Sequence, residues 1–584
     1  MSFASTRHSF ADGPAHAAGV SFAEAVLTGI PADGGLYYPV AVPRIPAHTL
    51  AQWGQLSYAE LACEVLSLYA VPDGSLTTEE IRQCVAEAGT EFRLPDWARV
   101  AKLKMENQAE APIQAEAPNQ DEAPNQAEAP NQAGAGLDGC HVLELFHGPT
   151  FSFKDYAMCI LGRLLDLLLE KQGGKAEGTV LVATSGDTGS AAIAGFRNRR
   201  RLNCVVLLPH NRVSEVQRRQ MTTDPAANVH CVQVEGTFDD CQRLLKESFA
   251  DEMFKKAYKL LAVNSVNFAR ICCQITYYFW ACFQLKSQPV DVIVPTGNFG
   301  NILAAFYAKR MGAPINQLII ASNVNDILPR FMRSGTYQLA PVIPTYSPSI
   351  DIQVSSNFER LLFVLSHDAS NGTTNHTSKG TTNQGTTNQG TTNQGTTNQG
   401  TTNQGTSKDI FAHNLEAPSP ETANARTEIG QLYQDLKDKG QFSVDNRLLE
   451  AIRQEFSAYS VDEEECLETI KTTYHNYKYV VDPHTAIAMA AAKRYLADHG
   501  PASLLVVSTA HPAKFAESVK QVIPDKAVDD LVPEQLACLL NKTERFQVLS
   551  HAYYSNPFAS DNRPEFGRVE KSLCQDGYRM ISAI

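Results

Sequence analysis

The run Phe151-Ser152-Phe153-Lys154-Asp155-Tyr156 follows directly on His147-Gly148-Pro149-Thr150 and sets one lysine among aromatic rings at the start of a predicted helix. Burial beside apolar rings penalises the ammonium form, and the positive end of a helix penalises it again. A lysine kept neutral in this way is a nucleophile that can form an imine with a carbonyl compound. Lys-Asp after an apolar patch is also the composition of an ordinary solvated ion pair at a helix start, so the neighbouring motifs must decide between the two.

Two downstream turns have compositions suited to anions, each between a predicted strand and a predicted helix. The first is Thr184-Ser185-Gly186-Asp187-Thr188-Gly189-Ser190, between a strand ending at Ala183 and a helix expected to start near Ala191. Its small residues let backbone N–H groups and hydroxyls converge on a carboxylate. The competing reading is a plain strand-to-helix turn with a Ser or Thr cap. The second is Pro295-Thr296-Gly297-Asn298-Phe299-Gly300-Asn301, before a predicted helix Ile302 to Met311. It lacks the Lys-Ser/Thr of a P-loop and the GxGxxG spacing, so a nucleotide fits poorly and a smaller phosphate is preferred. A third segment, Ser508-Thr509-Ala510-His511-Pro512-Ala513-Lys514-Phe515, follows a strand ending at Val507 and offers a hydroxyl that can hydrogen-bond a pyridine nitrogen. His511 before proline is as compatible with a structural role as with a catalytic one, and Lys514 is equally ambiguous. A reactive lysine with two anion turns points to a phosphate-bearing aldehyde cofactor.

The elements that must position these residues read as a parallel α/β core. Thr179–Ala183, Cys204–Leu208, Val229–Val234, Val290–Val294, Leu318–Ile320 and Leu504–Val507 are short β-rich runs, mostly separated by helical periodicity. Residues 1–105 are expected to form a mostly helical N-terminal domain, with helices over Ser57 to Leu68 and Thr77 to Ala88. Low-complexity inserts are expected over 106–137 and 366–425; 109–132 holds four Ala-Glu-Ala-Pro-Asn-Gln-like copies and 380–404 five copies of Gly-Thr-Thr-Asn-Gln. Neither has the apolar content to offset the entropy of ordering. The core then occupies 138–365 and 426–525, on both sides of the second insert, and 526–584 is an appendage without a motif.

With 43% hydrophobic residues over 584, the chain can bury a large core. A formal charge of −13 disfavours nucleic acid and anionic membrane as partners. The apolar run Ile271 to Phe283 is too short to span a bilayer and reads as a core helix. The 13 cysteines are scattered without metal-like CxxC pairs, which favours a reducing compartment, no bound metal, and Cys272 and Cys273 as buried helix residues. Cytosol is the expected location, and a monomer or homodimer the expected state.

Taken in order, Ser5-Thr6-Arg7, Gly29 to Pro39, the Lys154 motif, the Ser185–Gly189 and Gly297–Asn301 turns, Ser356-Asn357-Phe358-Glu359-Arg360, Asp482-Pro483-His484-Thr485 and Ser508–Phe515 resemble the threonine synthases. The resemblance is to the longer branch typical of fungi and many bacteria. It implies an α/β fold of the tryptophan synthase β-like type (fold type II), with doubly wound parallel sheets and pyridoxal 5'-phosphate as cofactor. By that resemblance Lys154 carries the cofactor and acts as general base and acid. Gly297, Asn298, Phe299, Gly300 and Asn301 hold the cofactor phosphate, Thr509 faces the ring nitrogen, and Thr184, Ser185, Gly186 and Thr188 receive the substrate carboxylate. Asp187 stands where many relatives of this fold type have Asn beside the ring hydroxyl, and the sequence does not settle its protonation. Asn267 and Arg270, with Lys514 and Arg7, are candidates for the substrate phosphate. The implied reaction is conversion of O-phospho-L-homoserine and water to L-threonine and phosphate, a lyase activity of threonine biosynthesis.

Two rival readings compete. A threonine-synthase-like phospholyase shares the early steps but releases 2-oxobutyrate. A non-catalytic interaction protein would use the repeats as docking segments, a reading against which the retention of Lys154, both glycine turns and Thr509 speaks. Because length added to a surface loop costs little, deleting residues 380–404 is expected to leave near-normal turnover. Loss of activity in a still-folded deletion variant would contradict the insert reading.

Overall fold

The computed structural model describes residues 1–7, 19–105, 136–173, 177–370 and 420–549. Both repeat tracts and residues 550–584 lie outside the described residues.

A six-stranded sheet runs in the order Phe456–Ser460, Ile315–Ser322, Val290–Pro295, Leu504–Ser508, His141–Glu144 and Arg99–Lys102. All neighbours are parallel except the last pair, which is antiparallel at the edge. The central strands Val290–Pro295 and Leu504–Ser508 are rich in Val, Ile and Leu and buried at every position, as strands covered on both faces require. Leu504–Ser508, from beyond the second repeat, inserts between Val290–Pro295 and His141–Glu144. The carboxyl ends of these three neighbours therefore lie side by side, and each feeds one of the motifs: Thr296 onward, Thr509 onward, and the segment leading to Lys154. In an open parallel sheet this is the edge at which ligands bind.

A second sheet, wholly parallel, runs Gln547–Leu549, Val229–Val234, Leu202–Pro209, Gly178–Ala183 and Leu260–Leu261. Its outer strand comes from the C-terminal segment, for which the sequence carries no strand signal strong enough to read. His141–Glu144 and Phe456–Ser460 also escape sequence reading. The first is a four-residue run with charged or polar ends, and the second, FSAYS, has no β-branched residue.

The N-terminal segment is mostly helical, with helices Phe22–Thr28, Ala47–Trp53, Tyr58–Ala70 and Thr78–Gly89, and a strand pair Phe3–Ser5 with Tyr37–Pro39. Capping boxes of Ser57 with Glu60 and Thr77 with Glu80 start the two longer helices. These helices share one apolar cluster with the sheets. The Tyr58 ring stacks on Trp97 at 4.9 Å and meets Tyr156 edge-on at 5.9 Å, two residues from Lys154. The predicted core helix extends over Phe268–Gln284 with Cys272 and Cys273 buried, and the twelve described cysteines are unpaired. No helix among the described residues is long and apolar enough to cross a membrane.

Lys154 opens the helix Lys154–Lys171, and Asp187 opens the helix Asp187–Phe196. The second helix begins four residues before the expected Ala191, because Thr184 Oγ1 accepts the N–H groups of Gly186 (2.9 Å) and Gly189 (3.0 Å) and closes the turn early. The two helices touch backbone to backbone at Gly162 and Gly195. A Cβ on Gly162 would lie 2.0 Å from the Gly195 carbonyl oxygen, and one on Gly195 would lie 2.3 Å from that of Met158. This contact sets the distance between Lys154 and Asp187. Gly162→Ala is expected to destabilise the protein by about 3 kcal/mol, the upper range for overpacking, because backbone must move. The measurement is the shift of a chemical denaturation midpoint, and an unshifted midpoint would remove the contact from this role.

Candidate active site

Lys154 reaches its position through a short antiparallel clamp. The N–H of Phe153 donates to the Thr509 carbonyl (2.9 Å) and that of His511 to Phe151 (3.1 Å), with Ser152 and Ala510 bridged between them. Asp155, fully buried, accepts from the Thr150 N–H (2.8 Å) and hydroxyl (2.5 Å) and ties down the turn before the helix. The Lys154 amine then stands 3.4 Å from Asp187 Oδ2, 3.3 Å from Ser349 Oγ and 4.7 Å from the centre of the Phe153 ring. The residue is 8% exposed. Burial lowers the affinity of the amine for its proton; Asp187 opposes this, and Lys514 and Arg270 reinforce it, with a net shift below the usual lysine range.

Burial pushes the Asp187 carboxyl toward protonation, but Lys514, Lys154 and the Gln217 amide more than offset it and hold the group well below the usual carboxylate range. Lys514 sits 2.6 Å from Oδ1, and Gln217 Nε2 donates to the same oxygen at 2.9 Å. Both neighbours therefore favour the ionised form of Asp187, the state on which the sequence is silent.

At the other end of the cleft the helix Gly300–Met311 begins, with Phe299 as its cap at φ 61° in the left-handed region. Buried contacts of the Phe299 ring with Phe358 (5.3 Å) and Phe456 (5.6 Å) hold that backbone strain. Gly297 admits the chain from the opposite wall, since a Cβ there would lie 2.4 Å from the Ser349 carbonyl oxygen. Asn301 Oδ1 accepts from the hydroxyls of Tyr277 and Tyr278, both at 2.6 Å, which turns the amide so that its buried Nδ2 has no protein partner. Arg270 is 4% exposed, donates to the Val263 carbonyl at 3.3 Å and leaves Nε unpartnered. Burial lowers its pKa to about 10, so the guanidinium remains charged at neutral pH with no carboxylate paired to it. Orphaned donors and a buried unpaired cation at a helix N-terminus are what a phosphate requires.

The cleft brings together Lys154, Asp187, Thr188, Arg270, Gly297, Asn298, Phe299, Gly300, Asn301 and Thr509. Other expected site residues lie elsewhere. Asn267 does not face the cleft: it caps the helix Phe268–Gln284, and its Nδ2 is committed to the carbonyls of Val26 (2.9 Å) and Ala262 (2.8 Å). Lys514 is turned inward to Asp187 and the Thr150 carbonyl (2.9 Å). Arg7 forms a forked pair with Glu359 and stacks on Tyr433. Thr184 holds the turn, and Ser185 and Gly186 stand beside Asp187 without lining the cleft. His511 caps the short helix Pro512–Phe515, with its pKa lowered to about 4 by burial, Arg93 and His147.

Ser349 and His484 are among the cleft residues with no assigned role in the sequence. Ser349 touches the Lys154 amine, and its N–H donates to His484 Nε2 at 3.1 Å. His484 Nδ1 lies 2.6 Å from Asp482 Oδ2, so the proton sits on Nδ1. Asp482-Pro483 is a readable helix start, and the histidine one position on was the available signal.

A family model described as pyridoxal-phosphate dependent enzyme matches residues 128–374, and models described as threonine synthase N terminus and threonine synthase, C-terminal match 2–88 and 485–555. Threonine synthase of Schizosaccharomyces pombe is 36% identical over 565 residues, covering 91% of this chain and 94% of the relative. The chain belongs to the threonine synthase family. The crystal structure of threonine synthase from yeast superposes with a TM-score of 0.76 at 31% identity, covering 99% of each chain. A PLP-bound threonine synthase from Brucella melitensis superposes with a TM-score of 0.73 at 34% identity, covering 98% of this chain and 99% of the other.

The residues present fit the family's cofactor, pyridoxal phosphate: an amine of lowered basicity for its aldehyde, and unpartnered donors for its phosphate. Asn301→Asp keeps the oxygen that accepts from Tyr277 and Tyr278 but replaces the free donor by a negative charge. Cofactor affinity, read by absorbance titration, is expected to fall by about a hundredfold, since a like charge in a desolvated anion site costs a few kcal/mol. Unchanged affinity would remove Asn301 from the phosphate site.

Proposed function

We propose that the protein makes L-threonine and phosphate from O-phospho-L-homoserine and water, by γ-elimination followed by addition of water at the β carbon. The observation that carries this reading is the Lys154 amine of lowered basicity, placed in one cleft with a phosphate-type cradle of orphaned donors.

Lys154 holds the cofactor and then moves protons at the substrate Cα, Cβ and Cγ, a sequence that needs an amine able to act as base and acid near neutral pH. When bound, the cofactor ring supplies the electron sink that these proton transfers require. Gly297, Asn298, Phe299, Gly300 and Asn301 present main-chain and amide donors to the cofactor phosphate, and Thr509 faces the ring nitrogen without a full charge. Arg270 provides the buried positive charge at the anionic end of the cleft. Thr188, which lines the cleft in the first turn of the helix Asp187–Phe196, marks the place of the substrate carboxylate. Ser349, bonded to the Lys154 amine and backed by His484, keeps that amine pointed along the cleft.

Incubation of the protein with O-phosphohomoserine and pyridoxal phosphate is expected to yield threonine and phosphate as the dominant products. Accumulation of 2-oxobutyrate and ammonia instead would assign the protein to the phospholyases. Lys154→Ala is expected to lower threonine formation at least about a thousandfold, as removal of a covalent and proton-transferring group does. Circular dichroism of the variant separates this loss from unfolding, and turnover retained without the lysine would overturn the proposal.

A further inference from the structure

Asp187 is shared by two buried lysines that make different use of it. Its Oδ1 is saturated by the Lys514 ammonium at 2.6 Å and the Gln217 amide at 2.9 Å, while Oδ2 faces the Lys154 amine at a looser 3.4 Å. The Lys514 side chain is wholly buried, is held also by the Thr150 carbonyl at 2.9 Å, and does not line the cleft. It is outside the cleft lining, and its charge is desolvated at a carboxylate that also contacts Lys154, a cost that only its pairing with Asp187 offsets.

We infer that Lys514 is a positioning residue for the imine chemistry: by occupying Oδ1 of Asp187 it weakens the hold of that carboxylate on Lys154 and leaves the Lys154 amine freer to react. In a water-poor site an uncompensated carboxylate would capture the nearest amine as an ammonium ion, which is not a nucleophile. With Lys514 in place the pull of Asp187 on Lys154 is opposed by a second positive charge, though not abolished. The other charged or titratable groups around that amine do not take over the role of the pair. Arg270 approaches from the helix Phe268–Gln284 and bears positive charge. His484 from the helix Pro483–His499 is reached only through Ser349 and has its proton on the Asp482 side. Asp155, next in sequence, is turned to Thr150 and faces Lys514 rather than Lys154. The inference rests on the reading of Lys154 as the imine-forming residue, but concerns the state of its amine before any cofactor binds.

The test therefore uses the full-length chain freed of cofactor and follows acetylation of Lys154 by acetic anhydride across a pH series, quantified by peptide mass spectrometry. Lys514→Met is expected to raise the pH midpoint of Lys154 reactivity by about one unit or more, a tenfold loss of reactivity near neutral pH. Lys514→Arg keeps the charge and is expected to stay within about 0.3 unit of the wild type. Asp187→Asn alone is expected to lower the midpoint by about one unit, and the double variant Asp187→Asn/Lys514→Met to return it close to the wild-type value. A folded Lys514→Met protein with an unshifted or lowered midpoint overturns the inference. If that variant does not fold, the comparison of Asp187→Asn with the double variant decides, and equal midpoints in those two overturn it. Loss of threonine formation with the midpoints behaving as expected would count against the proposed reaction and not against this role of Lys514.

Discussion

The Lys154 amine is held where water cannot solvate its charge, and the surrounding architecture follows from that constraint. The residue sits in the first turn of a helix whose next turns, Tyr156 to Leu161, are fully buried, so its backbone is fixed in the core while its amine faces the cleft. A buried ammonium is stable only beside a buried anion, yet an anion bound too well would remove the nucleophile. Asp187, divided between Lys154 and Lys514, meets both demands. Breaking such a buried pair by deleting one partner costs about 3–5 kcal/mol, so its presence reflects a requirement of the site and not spare stability.

The opposite end of the cleft applies the same electrostatics with the sign reversed. Tyr277 and Tyr278 spend their hydroxyls on one oxygen of Asn301, which leaves the amide nitrogen without a partner, and Arg270 keeps its charge with no carboxylate beside it. Buried donors left without acceptors are unfavourable in an empty site and become favourable when an anion arrives. Ser349 joins the two ends: its hydroxyl touches Lys154, its N–H is held by His484, and its carbonyl packs where Gly297 has no side chain.

Several parts of this arrangement were legible in the residues themselves. Runs such as VDVIVP and LLVVS announce strands buried on both faces, and the Gly-Asn composition after Pro295 announces a turn into a helix. FSAYS at Phe456–Ser460 and the strand Gln547–Leu549 did not announce themselves, because short edge strands are stabilised by their neighbours more than by their own propensity. Asn267 and Lys514 show the corresponding limit for side chains. Both are polar residues beside reactive motifs, and whether each faces the cleft or the protein interior depends on partners, Val26 for one and Asp187 for the other, that are hundreds of residues away in sequence.

By itself, then, the sequence determined the local frames and the family: a lysine at a helix start, two glycine-bearing turns between strand and helix, and the order of motifs that marks the threonine synthases. Those depend on residue type and on neighbours within a few positions, which is the range over which backbone propensity and capping act. Only the tertiary structure decided that Leu504–Ser508 lies between Val290–Pro295 and His141–Glu144, that Gly162 meets Gly195, and that Asp187 is ionised between two lysines. Each of these is a contact between segments far apart in the chain, and burial and charge pairing take their values only once the chain has brought such segments together.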